Sequence, residues 1–247
     1  MLKNKVALIT GASSGIGYAT SVALSNAGAH VAAGARRVEK LKDLEKEINE
    51  SREAEVLIQS LDVTNRANCN SFVDSAVKKW GTVDILVNNA GLMPLSFFKN
   101  SKVDEWERMI DVNFKGVLYC TSAVIPHMLK KESGHIVNMS SVAGRLVFAG
   151  GTVYCATKHA VTAFSEGLRI EFSPRSKIRV TCIEPGAVST ELLETITDES
   201  MTRFVEASKK MESLQAQDIA DAIMYAVQAP SHVNVNEILI RPTQQVI

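Results

Sequence analysis

The sequence has no excess of charge of either sign. Lys and Arg together number 27, as do Asp and Glu, so the formal net charge is +0. Such a chain has no overall field to attract nucleic acid or an anionic membrane, and we expect neither as a partner. No apolar stretch is long enough to span a bilayer, and the first apolar run starts at Val6, too early for a signal peptide to precede it. We therefore expect a cytoplasmic protein.

Cysteine and aromatic residues are also scarce. The four cysteines, Cys69, Cys120, Cys155 and Cys182, stand singly without a C-x-x-C pair, so we expect buried thiols and no metal site. Aromatic residues make up 6% of the chain, although hydrophobic residues make up 46%. The core must therefore be built from Val, Ile, Leu and Ala, a composition that favours parallel strands buried on both faces.

Short apolar runs bounded by turn residues alternate with helical patterns along the chain. The runs occupy residues 6–10, 30–35, 54–61, 85–88, 134–140, 178–183 and 237–240. This alternation predicts an α/β fold: a doubly wound, Rossmann-type parallel sheet of seven strands with helices on both faces, as a single domain over residues 1–247. In such sheets ligands bind at the carboxyl ends of the strands, so the residues that follow each strand are the site candidates.

One segment departs from this alternation. Between about residues 186 and 214 the pattern contains no strand, and its helical content is irregular and polar. Long insertions of this kind are usually functional lids or disordered segments. We expect this one to be a lid over the substrate.

The first strand is followed by a glycine-rich turn, T-G-A-S-S-G-I-G at residues 10–17, that opens a helix running to about Asn26. Glycine allows a positive φ and close backbone approach, so that free N–H groups at the helix N-terminus can bind a pyrophosphate. The spacing G-x-x-x-G-x-G differs from the more familiar G-x-G-x-x-G fingerprint. The turn predicts a dinucleotide site; a glycine turn without a ligand is the alternative.

The end of the second strand bears on the choice between NAD(H) and NADP(H). Ala35 stands where a fold that prefers NAD has an acidic residue for the ribose 2′-hydroxyl, and Arg36 and Arg37 follow it. A guanidinium offers a planar, charged set of donors to a 2′-phosphate, so we predict NADP(H) as the cofactor. Arg36 is the stronger candidate of the two. The alternative is that both arginines are solvated residues that open the next helix.

Tyr154, Lys158 and Ser141 are the residues best suited to chemistry. Tyr154 and Lys158 are four positions apart, so on a helix they share one face. A phenol has a pKa of about 10 and exchanges protons poorly at neutral pH, but an adjacent ammonium lowers that pKa and makes Tyr154 a usable general acid or base. Ser141 supplies a hydroxyl to hold the substrate oxygen. Taken alone, the Y-x-x-x-K spacing also fits an exposed pair.

Motifs along almost the whole chain resemble the short-chain dehydrogenase/reductase family. The matching segments are, in order, residues 10–17, Asp62 and Val63, Asn88 to Gly91, Asn113, Ser140 and Ser141, Tyr154 to Lys158, and Pro185 and Gly186. The resemblance implies that Tyr154 is the acid/base, that Ser141 orients the carbonyl, and that Lys158 also hydrogen-bonds the nicotinamide ribose. It implies as well that Asn113 holds a water in a proton relay. A polar residue that stabilises a helix bend is the compatible alternative for Asn113.

The cofactor contacts follow from this resemblance together with the glycine turn and the two arginines. Asp62 and Val63 are similar to adenine contacts, and the loop that begins at Pro185 resembles one that cups the nicotinamide amide and the pyrophosphate. For Asn88 a purely structural role is the alternative. The expected cofactor-binding residues are Gly11, Ser13, Ser14, Ile16, Gly17, Arg36, Arg37, Asp62, Val63, Asn88, Ala90, Gly91, Tyr154, Lys158, Pro185, Gly186, Val188 and Thr190.

The tail at residues 236–245, N-E-I-L-I-R-P-T-Q-Q, resembles family members that are NADP(H)-dependent 3-hydroxy acid, serine-type and clavaldehyde-type dehydrogenases. This likeness implies a small 3-oxo or 3-hydroxy compound as substrate. Substrate choice is also expected to involve residues 93–95 and 145–151, where Arg145 is either a partner for a substrate carboxylate or an exposed loop residue. The family further implies a homotetramer or homodimer that pairs the helices after the fourth and fifth strands, with apolar faces around Val161, Phe164 and Leu168.

These observations predict an NADP(H)-dependent oxidoreductase that acts on CH–OH groups, transferring a hydride between the nicotinamide and a carbonyl or secondary alcohol. The alternative from another class is a regulatory protein that senses NADP(H) without turnover, which the complete set of serine, tyrosine, lysine and asparagine disfavours. A nucleotide-sugar epimerase would need a larger C-terminal substrate domain.

Overall fold

Parallel strands of branched apolar residues form the centre of the protein. The computed structural model describes residues 2–51 and 54–246. Its strands are β1 (Val6–Thr10), β2 (His30–Ala35), β3 (Val56–Ser60), β4 (Ile85–Asn88), β5 (Gly134–Met139), β6 (Ile178–Pro185) and β7 (Glu237–Ile240). They form one sheet in the order β3-β2-β1-β4-β5-β6-β7, and every neighbouring pair is parallel. The predicted doubly wound sheet is thereby confirmed, with the strand order reversing between β1 and β4.

Helices cover both faces of this sheet. They are α1 (Gly15–Asn26), α2 (Val38–Ser51), α3 (Arg66–Trp80), α4 (Val103–Ile110), α5 (Gly116–Lys131), α6 (Thr152–Ser176), α7 (Thr202–Lys210) and α8 (Ala216–Gln228). Side chains alternate between the two faces along each strand. In β1, Ala7 and Ile9 pack into the core under α1, α2 and α8, whereas Val6 and Leu8 pack into the core under α3, α5 and α6. The β1 side chains are therefore buried on both faces, as predicted.

Three strand boundaries differ from the predicted ones. β3 occupies Val56–Ser60 in place of 54–61, and β5 ends at Met139 rather than at residue 140. β6 continues to Pro185 rather than ending at residue 183. It does so because β7 pairs with it there, Glu184 with Leu239 and Pro185 with Ile240. The hydrophobic pattern of β6 alone cannot reveal this pairing, because the partner strand lies more than fifty residues later in the sequence.

Residues 186–214 contain short helical pieces and no strand of the sheet. Two 3-10 helices, Glu191–Thr195 and Glu199–Met201, precede α7, and an isolated parallel bridge joins Val188 to Leu214. The irregular, partly helical character expected of this segment is what the structure has. We refer to residues 186–214 below as the 186–214 segment.

All four cysteines are buried free thiols, as predicted. Within residues 2–51 and 54–246, no group of three or more His, Cys, Asp and Glu side chains is placed to hold a metal ion. In the same ranges, no helix combines the length and the apolar character needed to cross a membrane.

A buried carboxylate near the end of β6 ties three segments together. Glu184 has 0% exposure, and the Arg145 Nε–H group lies 2.9 and 2.8 Å from its two oxygens. Arg145 also pairs with Glu237 on β7, and Thr162 on α6 donates to Glu184 at 3.4 Å. Arg145 is an exposed loop residue, as one of the two alternatives predicted, and its guanidinium is paired within the protein with Glu184 and Glu237. The ion pair holds the segment after Ser141 against the end of β6.

Arg145→Met is expected to lower the free energy of unfolding by about 3 kcal/mol, because it leaves a buried carboxylate without its counter-ion. Burial already raises the pKa of Glu184, and Arg145 opposes that rise. In the variant the folded-state pKa moves further above the unfolded value of about 4.3. The folded state then favours the protonated carboxyl, so stability falls as pH rises from the unfolded toward the folded pKa. Urea denaturation at about pH 5 and about pH 8 measures this slope.

Two control variants separate this effect from a general loss of packing. Adding Glu184→Gln to Arg145→Met is expected to flatten the pH dependence, because no buried carboxyl is left to titrate. Arg169→Met, which removes a pair between Arg169 and Glu166 at the helix surface, is expected to cost less than about 1 kcal/mol. A loss in Arg145→Met that is the same at both pH values would contradict the assignment.

Candidate active site

The carboxyl ends of the central strands open into one cleft of about 1240 Å³. It lies where the strand order reverses, as expected for ligand sites in such sheets. The predicted site residues that line it are Gly11, Ser13, Ser14, Ile16, Arg36, Arg37, Asp62, Val63, Ala90, Gly91, Ser141, Tyr154, Lys158, Pro185, Gly186, Val188 and Thr190. Three other predicted residues, Gly17, Asn88 and Asn113, lie outside this lining.

In the turn after β1, the glycine positions lie so close to neighbouring atoms that a side chain would not fit there. Gly11 has a φ of +67°, and a Cβ there would lie 2.8 Å from the Ala90 Cα. A Cβ at Gly17 would lie 2.4 Å from the Gly11 carbonyl oxygen, so a side chain at Gly17 would collide with the turn. α1 begins at Gly15, and its first two residues line the cleft. This arrangement presents a helix N-terminus to the cleft, where unpaired N–H groups favour an anion.

Two side chains at the ends of β1 and β4 hold the turn against the opposite wall. Thr10 Oγ1 accepts hydrogen bonds from the backbone N–H groups of Asn89 and Ala90, each at 3.0 Å. Asn89 Nδ2 donates to the carbonyl oxygens of Thr10 and Gly11 at 3.0 and 3.1 Å. Asn89 therefore holds the glycine turn against the segment that follows β4, a role that its place in the Asn88 to Gly91 motif did not reveal.

Asn88 has different surroundings from Asn89. It is buried, and its Nδ2 donates to Asn138 Oδ1 at 2.8 Å and to Thr121 Oγ1 at 3.0 Å. Asn138 Nδ2 in turn donates to Ser165 on α6 at 2.9 Å. This position matches the structural alternative for Asn88, which links β4 and β5 to the helices that cover them.

Arg37 is engaged by the protein. It donates to Ser13 Oγ at 3.2 Å, to Ser14 Oγ at 2.8 Å and to a Glu191 carboxylate oxygen at 2.6 Å. Ser14 Oγ donates to the same oxygen at 2.8 Å. The hydrogen bonds from Arg37 and Ser14 lower the pKa of Glu191. Glu191 belongs to the 186–214 segment, so these contacts connect that segment to the glycine turn.

Arg36 and Asp62 both line the cleft. Thr64 donates to the Asp62 carboxylate through its N–H at 3.0 Å and through its hydroxyl at 2.7 Å. These hydrogen bonds are the main reason that the pKa of Asp62 is lowered, and the charge of Arg36 contributes. Arg36 is exposed and lines the cleft, so its guanidinium is accessible to a ligand there.

Ser141, Tyr154 and Lys158 come together where β5 ends and α6 begins. Ser141 Oγ donates to the Pro185 carbonyl oxygen at 3.2 Å and accepts from the Ala143 N–H at 3.1 Å. Lys158 Nζ donates to the Met139 carbonyl oxygen at 2.8 Å and lies 5.7 Å from the centre of the Tyr154 ring. All three side chains are largely buried, at 9%, 5% and 7% exposure. The predicted constellation is therefore assembled in one place.

Burial controls the protonation of this group. It raises the pKa of Tyr154 to about 12, and the hydrogen bond with Ser141 opposes this rise. It lowers the pKa of Lys158 to about 8. The expectation that the Lys158 ammonium lowers the Tyr154 pKa is therefore wrong for this structure, in which that pKa is raised. The physical reason is that both groups are removed from water, and desolvation disfavours the charged form of each.

Asn113 lies in a π-helix, Asp111–Lys115, between α4 and α5. Its Oδ1 accepts from the Leu92 N–H and its Nδ2 donates to the Leu92 carbonyl oxygen, both at 2.9 Å. A Cβ at Gly91 would lie 3.4 Å from Asn113 Oδ1 and 4.0 Å from Lys158 Nζ. Single-turn π-helices are frequent at functional sites. Asn113 thus ties an irregular helix turn to the cleft wall, and its water relay stays a prediction.

The 186–214 segment is fastened to the wall that follows β4. Thr195 Oγ1 accepts from the Met93 N–H at 2.9 Å. Asp198 accepts from Ser96 Oγ at 2.6 Å and from Asn100 Nδ2 at 2.7 Å, and these hydrogen bonds lower its pKa. The rings of Phe148 and Phe204 stack with their centres 6.0 Å apart. Together with the Glu191 contacts, these interactions hold the segment across the cleft.

Two residues that shape the cleft could not have been found from spacing. Glu191 reaches Arg37 across 154 positions, and Gln245 accepts from the Ala187 N–H across 58 positions. Both line the cleft. Only the tail motif at 236–245 pointed to the neighbourhood of Gln245.

Sequence similarity to known proteins covers almost the whole chain. The family model for the short chain dehydrogenase matches residues 5–201. An uncharacterised oxidoreductase of Staphylococcus saprophyticus is 47% identical over 245 residues, which is 99% of this chain and 98% of the relative.

Solved structures of oxidoreductases are also similar to this protein over almost the whole chain. The closed form of a serine dehydrogenase complexed with NADP+ has a TM-score of 0.90 at 36% identity and covers 98% of this chain and 96% of that one. A 3-ketoacyl-(acyl-carrier-protein) reductase from Brucella melitensis complexed with NADH has a TM-score of 0.85 at 29% identity, with 98% of each chain covered. The protein is thus an oxidoreductase that belongs to the short-chain dehydrogenase/reductase family.

Proposed function

We propose that this protein transfers a hydride between NADP(H) and a carbonyl or secondary alcohol. The observation that carries the proposal is the placement of Ser141, Tyr154 and Lys158 in the same cleft as the glycine turn and Arg36. One end of the cleft is suited to phosphate, and the other end holds a phenol and a hydroxyl that can act on a substrate oxygen.

The cleft wall fits a nicotinamide dinucleotide. Glycines stand where a Cβ would collide in the turn, and the start of α1 supplies donors for the pyrophosphate. In this proposal the exposed guanidinium of Arg36 pairs with a 2′-phosphate, and Ala35 offers no carboxylate to repel one. The NADP+ complex of the related serine dehydrogenase supports this cofactor, whereas the related reductase from B. melitensis was solved with NADH. When bound, NADPH supplies the hydride.

Tyr154 acts as the general acid in reduction. Its phenol donates a proton to the carbonyl oxygen while the hydride reaches the carbonyl carbon, and the product is the alcohol. A pKa of about 12 keeps the phenol protonated at neutral pH. In oxidation the phenol must first lose its proton, which the positive charge of a bound, oxidised nicotinamide ring would favour. The Ser141 hydroxyl holds the substrate oxygen in both directions.

The substrate class is a small 3-oxo or 3-hydroxy compound. The tail at 236–245 and the likeness to a serine dehydrogenase support this assignment. The 186–214 segment serves as the lid that excludes water, as its contacts with Met93, Ser96 and Phe148 suggest.

The proposal includes a cytoplasmic homotetramer, with the homodimer as the alternative. Of the three apolar residues expected near the interface, Val161 and Leu168 are buried in the core of the single chain, whereas Phe164 is half-buried. Ile170 on the same helix and Leu129 on α5 are exposed apolar residues that remain for such a contact.

Tyr154→Phe is expected to lower kcat for carbonyl reduction by roughly 10²- to 10⁴-fold, because it removes the proton donor and little else. Binding of NADPH, followed by its fluorescence, is expected to persist. Steady-state oxidation of NADPH with a panel of aldehydes, ketones and 3-oxo acids measures the loss.

Tyr225→Phe is the matched control, because Tyr225 is exposed on α8. It is expected to keep full activity. Equal activity of Tyr154→Phe and the wild type would contradict the acid assignment, and a wild type that binds NADPH but reduces no carbonyl would favour the sensor alternative.

Arg36→Ala is expected to reduce the ratio of kcat/KM for NADPH to kcat/KM for NADH by at least about 10-fold, through loss of charge-assisted hydrogen bonds to the 2′-phosphate. Arg37→Ala is expected to change this ratio less, because Arg37 is shared among Ser13, Ser14 and Glu191. Arg175→Ala, at the far end of α6, is the control. A wild type that prefers NADH, or an unchanged ratio in Arg36→Ala, would show that Arg36 does not select the cofactor.

A further inference from the structure

The chain after β7 folds back onto the loop that follows β6. Gly186 N–H donates to the Ile240 carbonyl oxygen at 2.8 Å, which extends the contact between β6 and β7 by one step. Pro242 is buried, and the Gln245 N–H donates to the Pro242 carbonyl oxygen at 2.9 Å, closing a turn. This turn places the Gln245 side chain in the cleft lining beside Gly186 and Ala187.

The Gln245 carboxamide is in direct contact with this loop. Its Oε1 accepts from the Ala187 N–H at 2.8 Å. A Cβ at Gly186 would lie 2.1 Å from the same oxygen and 3.2 Å from Arg241 Cγ. The absence of a side chain at Gly186 is therefore what lets the carboxamide approach the loop.

The loop is held from its other side as well. The Ala187 carbonyl oxygen accepts from the Leu214 N–H at 3.0 Å, and the Ser189 N–H donates to the Leu214 carbonyl oxygen at 2.8 Å. Both polar backbone atoms of Ala187 are thus bonded, one to the tail and one to the end of the 186–214 segment. The peptide groups on either side of Ala187 have their orientation set by these two bonds.

We propose that Gln245 is a positioning residue for the cofactor, which it influences by holding Gly186 to Val188 in the orientation that receives the nicotinamide end. The proposal rests on the function proposed above, in which these residues contact the nicotinamide. The hydrogen bond lies at the cleft and outside the apolar core, so its loss is expected to affect ligand binding more than stability. The tail motif 236–245 thereby gains a role within the site.

One substitution and a matched control test the role of the carboxamide oxygen. Gln245→Leu removes the acceptor with a side chain of similar size. Gln244→Leu is the matched control, because Gln244 is the exposed neighbour in the same turn. The probes are NADPH and adenosine 2′,5′-bisphosphate, which has the 2′-phosphate but lacks the nicotinamide. Dissociation constants for both, KM for NADPH and thermal midpoints are measured for the full chain.

Gln245→Leu is expected to weaken NADPH binding about fivefold, in keeping with the loss of one hydrogen bond. Its affinity for adenosine 2′,5′-bisphosphate and its thermal midpoint are expected to match those of Gln244→Leu. The inference is overturned if Gln245→Leu binds NADPH like Gln244→Leu or if both probes weaken equally. A wild type that binds no NADPH overturns the proposed function together with this inference, whereas normal NADPH binding by Gln245→Leu overturns this inference alone.

Discussion

The ladder between β1 and β4 is the contact on which the rest of the site depends. Because these strands are parallel and adjacent, their carboxyl ends stop side by side, and the chain leaves them in opposite directions. Thr10 and Asn89 then join the two exits through four hydrogen bonds. The backbone at Gly11 is consequently pressed against Ala90, and only glycine fits there. The glycine turn and the cleft wall that follows β4 are thus parts of one junction.

Removal from water governs the protonation of the side chains on the other side of this junction. Burial raises the pKa of the Tyr154 phenol, whereas it lowers the pKa of Lys158, whose ammonium donates to the Met139 carbonyl oxygen. The Glu184 carboxylate is buried too, but it has Arg145 as counter-ion. Buried charges here therefore have a partner, and the Tyr154 phenol is neutral.

Much of this arrangement could be predicted from local patterns. The glycines of the first turn and the pair Tyr154 and Lys158 are recognisable because their roles depend on short spacing within one turn or helix. The extent of β6 was missed because it depends on pairing with β7. Glu191 and Gln245 were missed because their partners are distant in sequence, and a polar residue in a loop has no periodicity that reveals its contact. Burial of Tyr154 likewise depends on the whole fold, so the direction of its pKa shift was not visible in the motif.

In the 186–214 segment, the polar side chain that holds the segment in place differs from the apolar side chains that line the cleft. Asp198 fastens it through hydrogen bonds with Ser96 and Asn100, while Leu192 and Leu193 line the cavity. Exchanges among the apolar lining residues can therefore reshape the cavity without unfastening the segment. Hydrophobic substitutions in the lining can thus change the shape of the cavity gradually, because the hydrogen bonds that hold the segment across the cleft do not have to be rebuilt each time.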